Sequence, residues 1–374
     1  MESLSIWADY MLQKVVHLCP AYLVDSWHFL NEICNLNELQ NCRLLTVNAK
    51  AMYLNINTDH AIESIAKWFL FHKNNIPPNF PVQLLLDSIE RIMRYNRFTF
   101  GNRFFLQLNG TLMGTNVGCM YATIYYSIHK EQIILPHRAV CFYRRLINDA
   151  FVIISNDDTS YQTVYNLMNS FGPESKRLEW ETENKGSMEV NFLDLTVSIR
   201  DDGTIATKTY QKPMNLYLYR CPSSAQPPSI LYRLIYGTIH RYFWQNTDTE
   251  DFDLFTAKFF QRLLNQAHLR LTLEPLFDKA LLRVQTSKLP NPLPGSEQDS
   301  PNKGQVFVHS PYHPQYPPQE MINVPKQELF KLISEFEPNL FDRIIVAFSC
   351  APNIGDLCKK NQLEADVDTS EVGL

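Results

Sequence analysis

Bulky and polar positions alternate through residues 142–154 around a polar pair, Asn148-Asp149. This pattern predicts two short strands joined by a tight turn, with Asn148-Asp149 at its tip. Upstream, Trp7, Leu12, Val15, Trp27, Leu30 and Ile33 recur at roughly helical spacing, so residues 1–40 read as helical. Leu44–Val47 reads as a short buried strand leading to Asn48. A helix is expected from Thr58 or Asp59, either of them a plausible N-cap, to His72. Pro77-Pro78 breaks the chain, and Val82–Tyr95 predicts a second helix. Arg97–Leu108 carries alternating aromatics around Phe100-Gly101-Asn102, a hairpin signal, and Thr115–Leu135 reads as one long helix ended by Pro136. A helix over Ser160–Phe171 follows, then strands over Leu178–Glu183, Val190–Arg200 and Thr204–Gln211, the last two joined at Asp201-Asp202-Gly203. Residues 228–284 read as helical, and Ser287–Gly304, rich in Pro, Ser, Asn and Gly, as a linker. Val306–His309, a helix near 326–336 and Ile344–Phe348 suggest a small βαβ appendix. The order is mixed α+β, without internal repeats.

Composition narrows the picture. With 374 residues, 45% hydrophobic and 20% charged, the chain can bury a sizeable core in two or three domains. It has no run of about 18 apolar residues, so no membrane span is expected. Glu2, Asp9 and Lys14 interrupt the apolar start, which argues against a signal peptide. Eight cysteines without a CxxC pair point to reduced thiols and an intracellular setting, nuclear or cytoplasmic, and away from a zinc or disulfide framework. The net charge of −5 is localised: residues 288–374 carry 12 acidic and 7 basic side chains, and the rest carry 27 of each. Charge alone therefore gives no support for nucleic-acid binding. His309 and His313 are four apart, but Pro311 and Pro314 disfavour the helix that would pair them on a metal. No Ser, Thr or Cys has an identifiable base partner, so a hydrolase is not expected.

Several ordered segments carry a resemblance. Asp25–Leu30 and Leu45–Ile56, with Asn48 and Tyr53, are followed by Gln107–Thr115 and Tyr121-Ala122, then by Phe142–Phe151 with Asn148-Asp149. Asn191–Leu195, Lys212–Tyr219, Tyr312–Pro314 and Ile344–Leu357 complete the series. In this order and spacing the chain resembles the reverse transcriptases of Penelope-like and related retroelements. The likeness covers most of the chain.

The resemblance implies a reverse-transcriptase palm, an antiparallel sheet backed by helices, over residues 41–225. It also implies an N-terminal helical piece of the fingers (1–40), a thumb-like helical region (226–286), a linker (287–304) and a small α/β appendix (305–374). It implies RNA-directed DNA synthesis with two Mg²⁺ ions, deoxynucleotides and an RNA or DNA template–primer as partners, and no membrane. The catalytic positions of that family fall on Asn48, Asn148 and Asp149, of which only Asp149 is a carboxylate and a metal ligand. Tyr53, Gln107, Gly110 and Gly114 fall on its nucleotide-binding positions. Two-metal catalysis needs converging hard anionic oxygens. Losing about 4 kcal/mol of charge stabilisation slows a reaction roughly a thousand-fold, so efficient polymerisation is not expected. Upstream finger motifs of the family have no counterpart in the 47 residues before Asn48, as in a piece of a longer frame. The alternative is a catalytically inactive retroelement remnant that binds nucleic acid or protein.

Other residues weigh less. Asp157 and Asp158 suit a solvated turn, and Asp194 reads as strand-borne and mainly structural. Of Arg144 and Arg145, at most one faces a groove on an alternating strand, leaving the other solvated. Lys208, Lys212, Arg220, Arg233, Arg241 and Arg270, interleaved with Tyr217, Tyr219, Tyr232 and Trp244, suit a template track and equally an ordinary helical subdomain.

Overall fold

A computed structural model describes residues 2–108, 110, 111, 113–157, 159–172, 177–182, 184–224, 229–286, 305–311, 327 and 343–349. They fall into two units, one built from residues 1–215 and 244–254, the other from 216–243 and 255–374.

The first unit is organised around β1 (Cys42–Ala49). Antiparallel partners flank it on both sides in a four-stranded sheet, β4 (Val140–Leu146), β5 (Asp149–Ser155), β1 and β6 (Trp180–Thr182) in spatial order. Successive residues of a strand face opposite sides, and both sides of β1 and β5 are apolar. Leu45, Val47, Ala150, Val152 and Ile154 join one buried cluster with Leu12, Ile65, Trp68, Ile89, Tyr121 and Tyr125. These come from α1 (Glu2–Gln13), α4 (Thr58–Phe71), α5 (Val82–Arg94) and α6 (Gly118–Tyr125), encountered in that order along with α2 (Ser26–Ile33) and α3 (Met52–Asn55). Leu44, Phe151 and Ile153 face the other way, into Phe29 and Leu30 of α2 and a three-stranded meander. That meander is β7 (Glu189–Phe192), β8 (Leu195–Ile199) and β9 (Ile205–Thr209). Phe29 meets Phe151 and Phe192 edge-on, each at 4.8 Å. A separate hairpin, β2 (Arg97–Phe100) and β3 (Arg103–Leu106), precedes α6.

In the second unit, α9 (Ser229–Gln245), α10 (Thr249–Asn265) and α11 (Arg270–Thr286) supply its helices, with Tyr242, Phe255, Phe259 and Phe277 in mutual ring contact. The last residues of α9 and the first of α10 belong to the first unit. Strands β10 (Gln305–Pro311) and β11 (Arg343–Ser349) pair in parallel. The helix expected near 326–336 and the linker at 287–304 lie outside the described residues, as do Glu183, His313 and Pro314.

Local chemistry shifts several elements from their sequence expectation. Asn57, not Thr58 or Asp59, caps α4: its side chain accepts from the His60 amide at 2.9 Å. The long helix expected over Thr115–Leu135 is three pieces: α6, the short α7 (Ser127–His129) and a π-turn at Lys130–Ile134 closed by Leu135 N to Lys130 O at 2.8 Å. The strand expected over Val190–Arg200 is a hairpin, turning at Leu193-Asp194 with Leu193 at φ 56°. A leucine in the left-handed region gives no turn signal in sequence. The remaining helix is α8 (Ser160–Met168).

Arg145 is the chief surprise of the core. It is fully buried, and its guanidinium donates to the carbonyls of Ile147 and of Thr123 near the end of α6. Its backbone binds Ala21 O at 2.8 Å and accepts from Leu23 N at 3.1 Å, fixing the segment after α1 to the edge of β4. We expect Arg145→Ala to cost about 3 kcal/mol or more, from orphaned buried carbonyls and a new cavity. Urea unfolding of the variant measures this, and Arg145→Lys should recover little because one ammonium cannot span both carbonyls.

Candidate functional site

The antiparallel register sets Asn48 of β1 directly opposite Asp149 of β5, and Glu181 of β6 opposite Asn48 on its other side. Directly opposed residues project to one face, so Glu181, Asn48 and Asp149 form a row across three strands. Asn48 Nδ2 donates to Asp149 Oδ1 at 2.5 Å. Ile147 and Asn148 make the two-residue turn, so the tip is Ile147-Asn148, and Asp149 is the first residue of β5. Ile147 sits at φ 51°, and the Asn148 carbonyl accepts from Ala49 N at 2.8 Å, closing β1 against the turn.

The row borders a cavity of about 760 Å³. Asn48, Asp149, Glu181 and Lys212 give it a polar wall, and Tyr161, Tyr165 and Tyr210 an aromatic one. Tyr161 and Tyr165, one turn apart on α8, stack at 5.8 Å. Burial raises the Asp149 carboxyl above the usual carboxylate range, against the opposing pull of the Asn48 amide and the Lys212 ammonium. Glu181 pairs with Lys50 at 2.9 Å on an exposed surface, a contact of little energetic weight.

Tyr53 and Gly110 come together elsewhere. Thr111 N donates to Tyr53 O at 2.6 Å and Gly110 N to Ile56 O at 3.2 Å, so this loop lies against α3. Gly110 has φ +77°, and a Cβ there would stand 2.5 Å from Tyr53 O and 2.8 Å from Leu54 Cα. Glycine is what permits that approach. The Tyr53 hydroxyl lies 3.3 Å from Cys119 Sγ. Gln107 N binds Asn96 O at 2.9 Å at the foot of the β2–β3 hairpin, while Gly114 faces open space. None of Tyr53, Gln107, Gly110 and Gly114 borders the cavity beside Asp149. Asn109 and Leu112 of the same segment lie outside the described residues.

Neither arginine of β4 is offered to a groove. Arg144 forks onto Glu32 at 2.6 and 2.8 Å, and Arg145 is the buried clamp described above. Asp194 is a turn residue, not strand-borne, and accepts from Gln245 Nε2 at 2.5 Å. Asp157 caps its own turn through Ser155 and Thr159, as a solvated turn should, and Asp158 lies outside the described residues. Lys208 is committed to Glu189 at 3.1 Å and Arg270 to Glu274 at 3.1 Å. Sequence reasoning missed Glu181, Tyr161 and Tyr165 as neighbours of Asp149. The two tyrosines carry an i, i+4 signal on a predicted helix, whereas Glu181 carries none. Among the described residues no group of three His, Cys, Asp or Glu side chains converges as a metal site.

No protein-family model matches this sequence, and no curated protein does. Among solved structures, the chain is similar to a telomerase from Candida albicans in complex with a fragment of telomeric RNA. The identity is 14%, the TM-score 0.48, and the match covers 75% of this chain and 51% of that one. It is also similar to an apo telomerase from Candida tropicalis (12% identity, TM-score 0.42, 55% of this chain and 45% of that one). A third is a Sicinivirus RNA-dependent RNA polymerase (11%, TM-score 0.40, 69% and 54%). The chain spans about half the length of each of these.

Two outcomes test this geometry. A raised carboxyl pKa in the fold means that the ionised form is penalised there, fully so at neutral pH and not at all once both states are protonated. Asp149→Asn should therefore match or exceed the parent in urea stability at neutral pH, and the gap should close toward pH about 3. Gly110→Ala should lose about 1–3 kcal/mol from the left-handed backbone alone, with more from the contact with Tyr53, read by the same unfolding measurement.

Proposed function

We propose that this chain is a palm of the reverse-transcriptase type, of Penelope-like descent, that binds RNA or DNA template–primer and whose nucleotidyl transfer is disabled. The carrying observation is the pairing of Asn48 with Asp149 across β1 and β5, where two strands bring together the positions that resemble a polymerase's metal-binding carboxylates. The location of the ordered motifs supports this reading. The Leu45–Ile56 segment holds the end of β1, Gly110 and Thr111 bind the backbone of Ile56 and Tyr53 ahead of α6, and Phe142–Phe151 forms most of the β4–β5 hairpin. The cavity beside them, with Lys212 on one wall and tyrosines on another, has the cation and ring surfaces that suit phosphate and base.

The residues do not fit a pair of Mg²⁺ ions. Mg²⁺ takes hard oxygen ligands in near-octahedral geometry. Here one carboxylate stands at three family positions, and an Asn48 N–H donor already points at its oxygen. An amide proton facing the Asp149 carboxylate satisfies it as a cation would, without the charge that supports a transferring phosphoryl group. The arrangement supports a binding protein with a polymerase's frame rather than an efficient enzyme.

Primer extension on an RNA template with Mg²⁺ or Mn²⁺ tests this reading. The unmodified chain should give no extension and a salt-dependent retention of primer–template duplex. Extension that disappears in Asp149→Ala would overturn the inactive reading. Absence of duplex binding would overturn the nucleic-acid reading. Asn48→Asp places two carboxylates directly opposite each other, so it should lower the melting temperature in chelator. Combined with Asn148→Asp, that deficit should be recovered by millimolar Mg²⁺, a response the parent should lack.

A further inference from the structure

Within the first unit, the β2–β3 hairpin is built unlike its surroundings. All ten residues from Arg97 to Leu106 are exposed. Four of them are phenylalanines: Phe100 and Phe104 are 78% and 80% exposed, Phe98 and Phe105 43% and 42%. A two-stranded ribbon is marginal by itself in water, and these rings contribute nothing to either buried cluster of the unit. The ribbon is nonetheless stiffened. Phe98 and Phe105 are opposed in register and stack at 5.5 Å with an interplanar angle of 20°. Its foot is closed by Gln107 N to Asn96 O at 2.9 Å.

Charge supplies the second observation. The chain has 39 acidic residues, yet residues 91–130 contain none. Arg94 is committed to Asp59 and Glu90, and Lys130 is buried. Arg91, Arg97 and Arg103 are exposed and form no ion pair among the described residues. The register distributes two of them. Phe100 is opposed to Arg103, so ring and guanidinium share one face, while Arg97 shares the opposite face with Phe104. Each face therefore presents one widely exposed ring and one unpaired cation.

We propose that the β2–β3 hairpin is a platform for single-stranded nucleic acid, on which bases stack against Phe100 and Phe104 while Arg97 and Arg103 hold adjacent phosphates. A stacked ring is indifferent to which base it meets, and a cation beside it meets the backbone, so the pair recognises any single strand. A protein partner would be served by the rings alone. Burial excludes carboxylates from the α6 part of the acid-free stretch, but the absence of every carboxylate from the ten exposed residues 97–106 has no reason in a protein partner, whereas a polyanion supplies one. The proposal deepens the nucleic-acid reading of the chain but stands on the hairpin's own residues, away from the cavity beside Asp149.

The test uses the full chain and fluorescent oligo-dT and oligo-rU of about a dozen nucleotides, read by anisotropy across a salt series. Phe100→Ala combined with Phe104→Ala should weaken binding roughly five-fold or more, with unchanged circular dichroism and melting because both rings are in solvent. Phe100→Trp with Phe104→Tyr should retain affinity. An abasic strand should bind the parent and the Ala variant alike. Arg97→Gln with Arg103→Gln should reduce the salt slope by about 1.4. Unchanged affinity in the Ala variant overturns the platform, and so does an Ala variant whose only change is in self-association by sedimentation, which would make the hairpin a contact between copies. If Lys212→Ala loses the oligonucleotide while the hairpin variants keep it, the platform fails and the palm reading stands. If the hairpin variants lose the oligonucleotide and the parent holds no primer–template duplex, the palm reading fails and the platform stands.

Discussion

A guanidinium buried without a carboxylate organises the first unit. Arg145 lies inside the core, where an unpartnered charge costs several kcal/mol, and it is kept there by carbonyl groups. Ile147 O comes from the turn between β4 and β5, and Thr123 O from the end of α6. The face of Tyr126 lies 5.3 Å from the guanidinium carbon. One side chain thereby joins the hairpin turn to the helix packed behind the sheet. Ile147 holds a left-handed conformation in that turn, and the guanidinium ties down its carbonyl. Where Asp149 enters β5, and hence what it faces, follows from that fixed turn.

The same interior tolerates a second cation. Burial and the neighbouring Arg145 charge push the Lys130 ammonium down to about 7. Much of it is then neutral near physiological pH, which relieves the repulsion between the two groups. The Lys130 amine has no hydrogen-bond partner among the described residues and lies 6.0 Å from the Tyr143 ring. These basic groups are internal struts. They lie inside the fold and do not contribute to an outward electrostatic surface, which is left to accessible groups such as Lys212 and the arginines of the β2–β3 hairpin.

At the site itself, an amide stands where a carboxylate would create repulsion. Two ionised carboxylates opposed across β1 and β5 require a cation between them, whereas Asn48 and Asp149 satisfy each other directly. The asparagine lets β1 and β5 pair at this point without an intervening cation.

Strands with clean alternation and helices with clear periodicity were legible from sequence: β1, β4, β5, α4, α5 and α8 lie close to their expected positions. So was the proximity of the Asn48 segment to the Asn148-Asp149 hairpin, through the order of the motifs. What escaped was conformation set by distant partners. The Leu193-Asp194 turn puts a leucine, not a glycine or asparagine, in the left-handed position, and Gln245, fifty-one positions from Asp194, donates to the Asp194 carboxylate. Arg144 and Arg145 are adjacent and chemically identical, yet one forks onto Glu32 at the edge and the other is buried. The alternation of a strand says that they point to opposite faces, but only packing says what each face meets. Sequence alone thus determined which residues alternate, where the β4–β5 hairpin turns and that Asn48 and Asn148 are uncharged amides beside Asp149. Tertiary structure alone decided that Glu181 and Lys212 attend Asp149 and that Gly110 is needed for contact with α3. The reason is physical: periodicity is a property of neighbours along the chain, while burial, register and partner choice are properties of segments that meet only after folding.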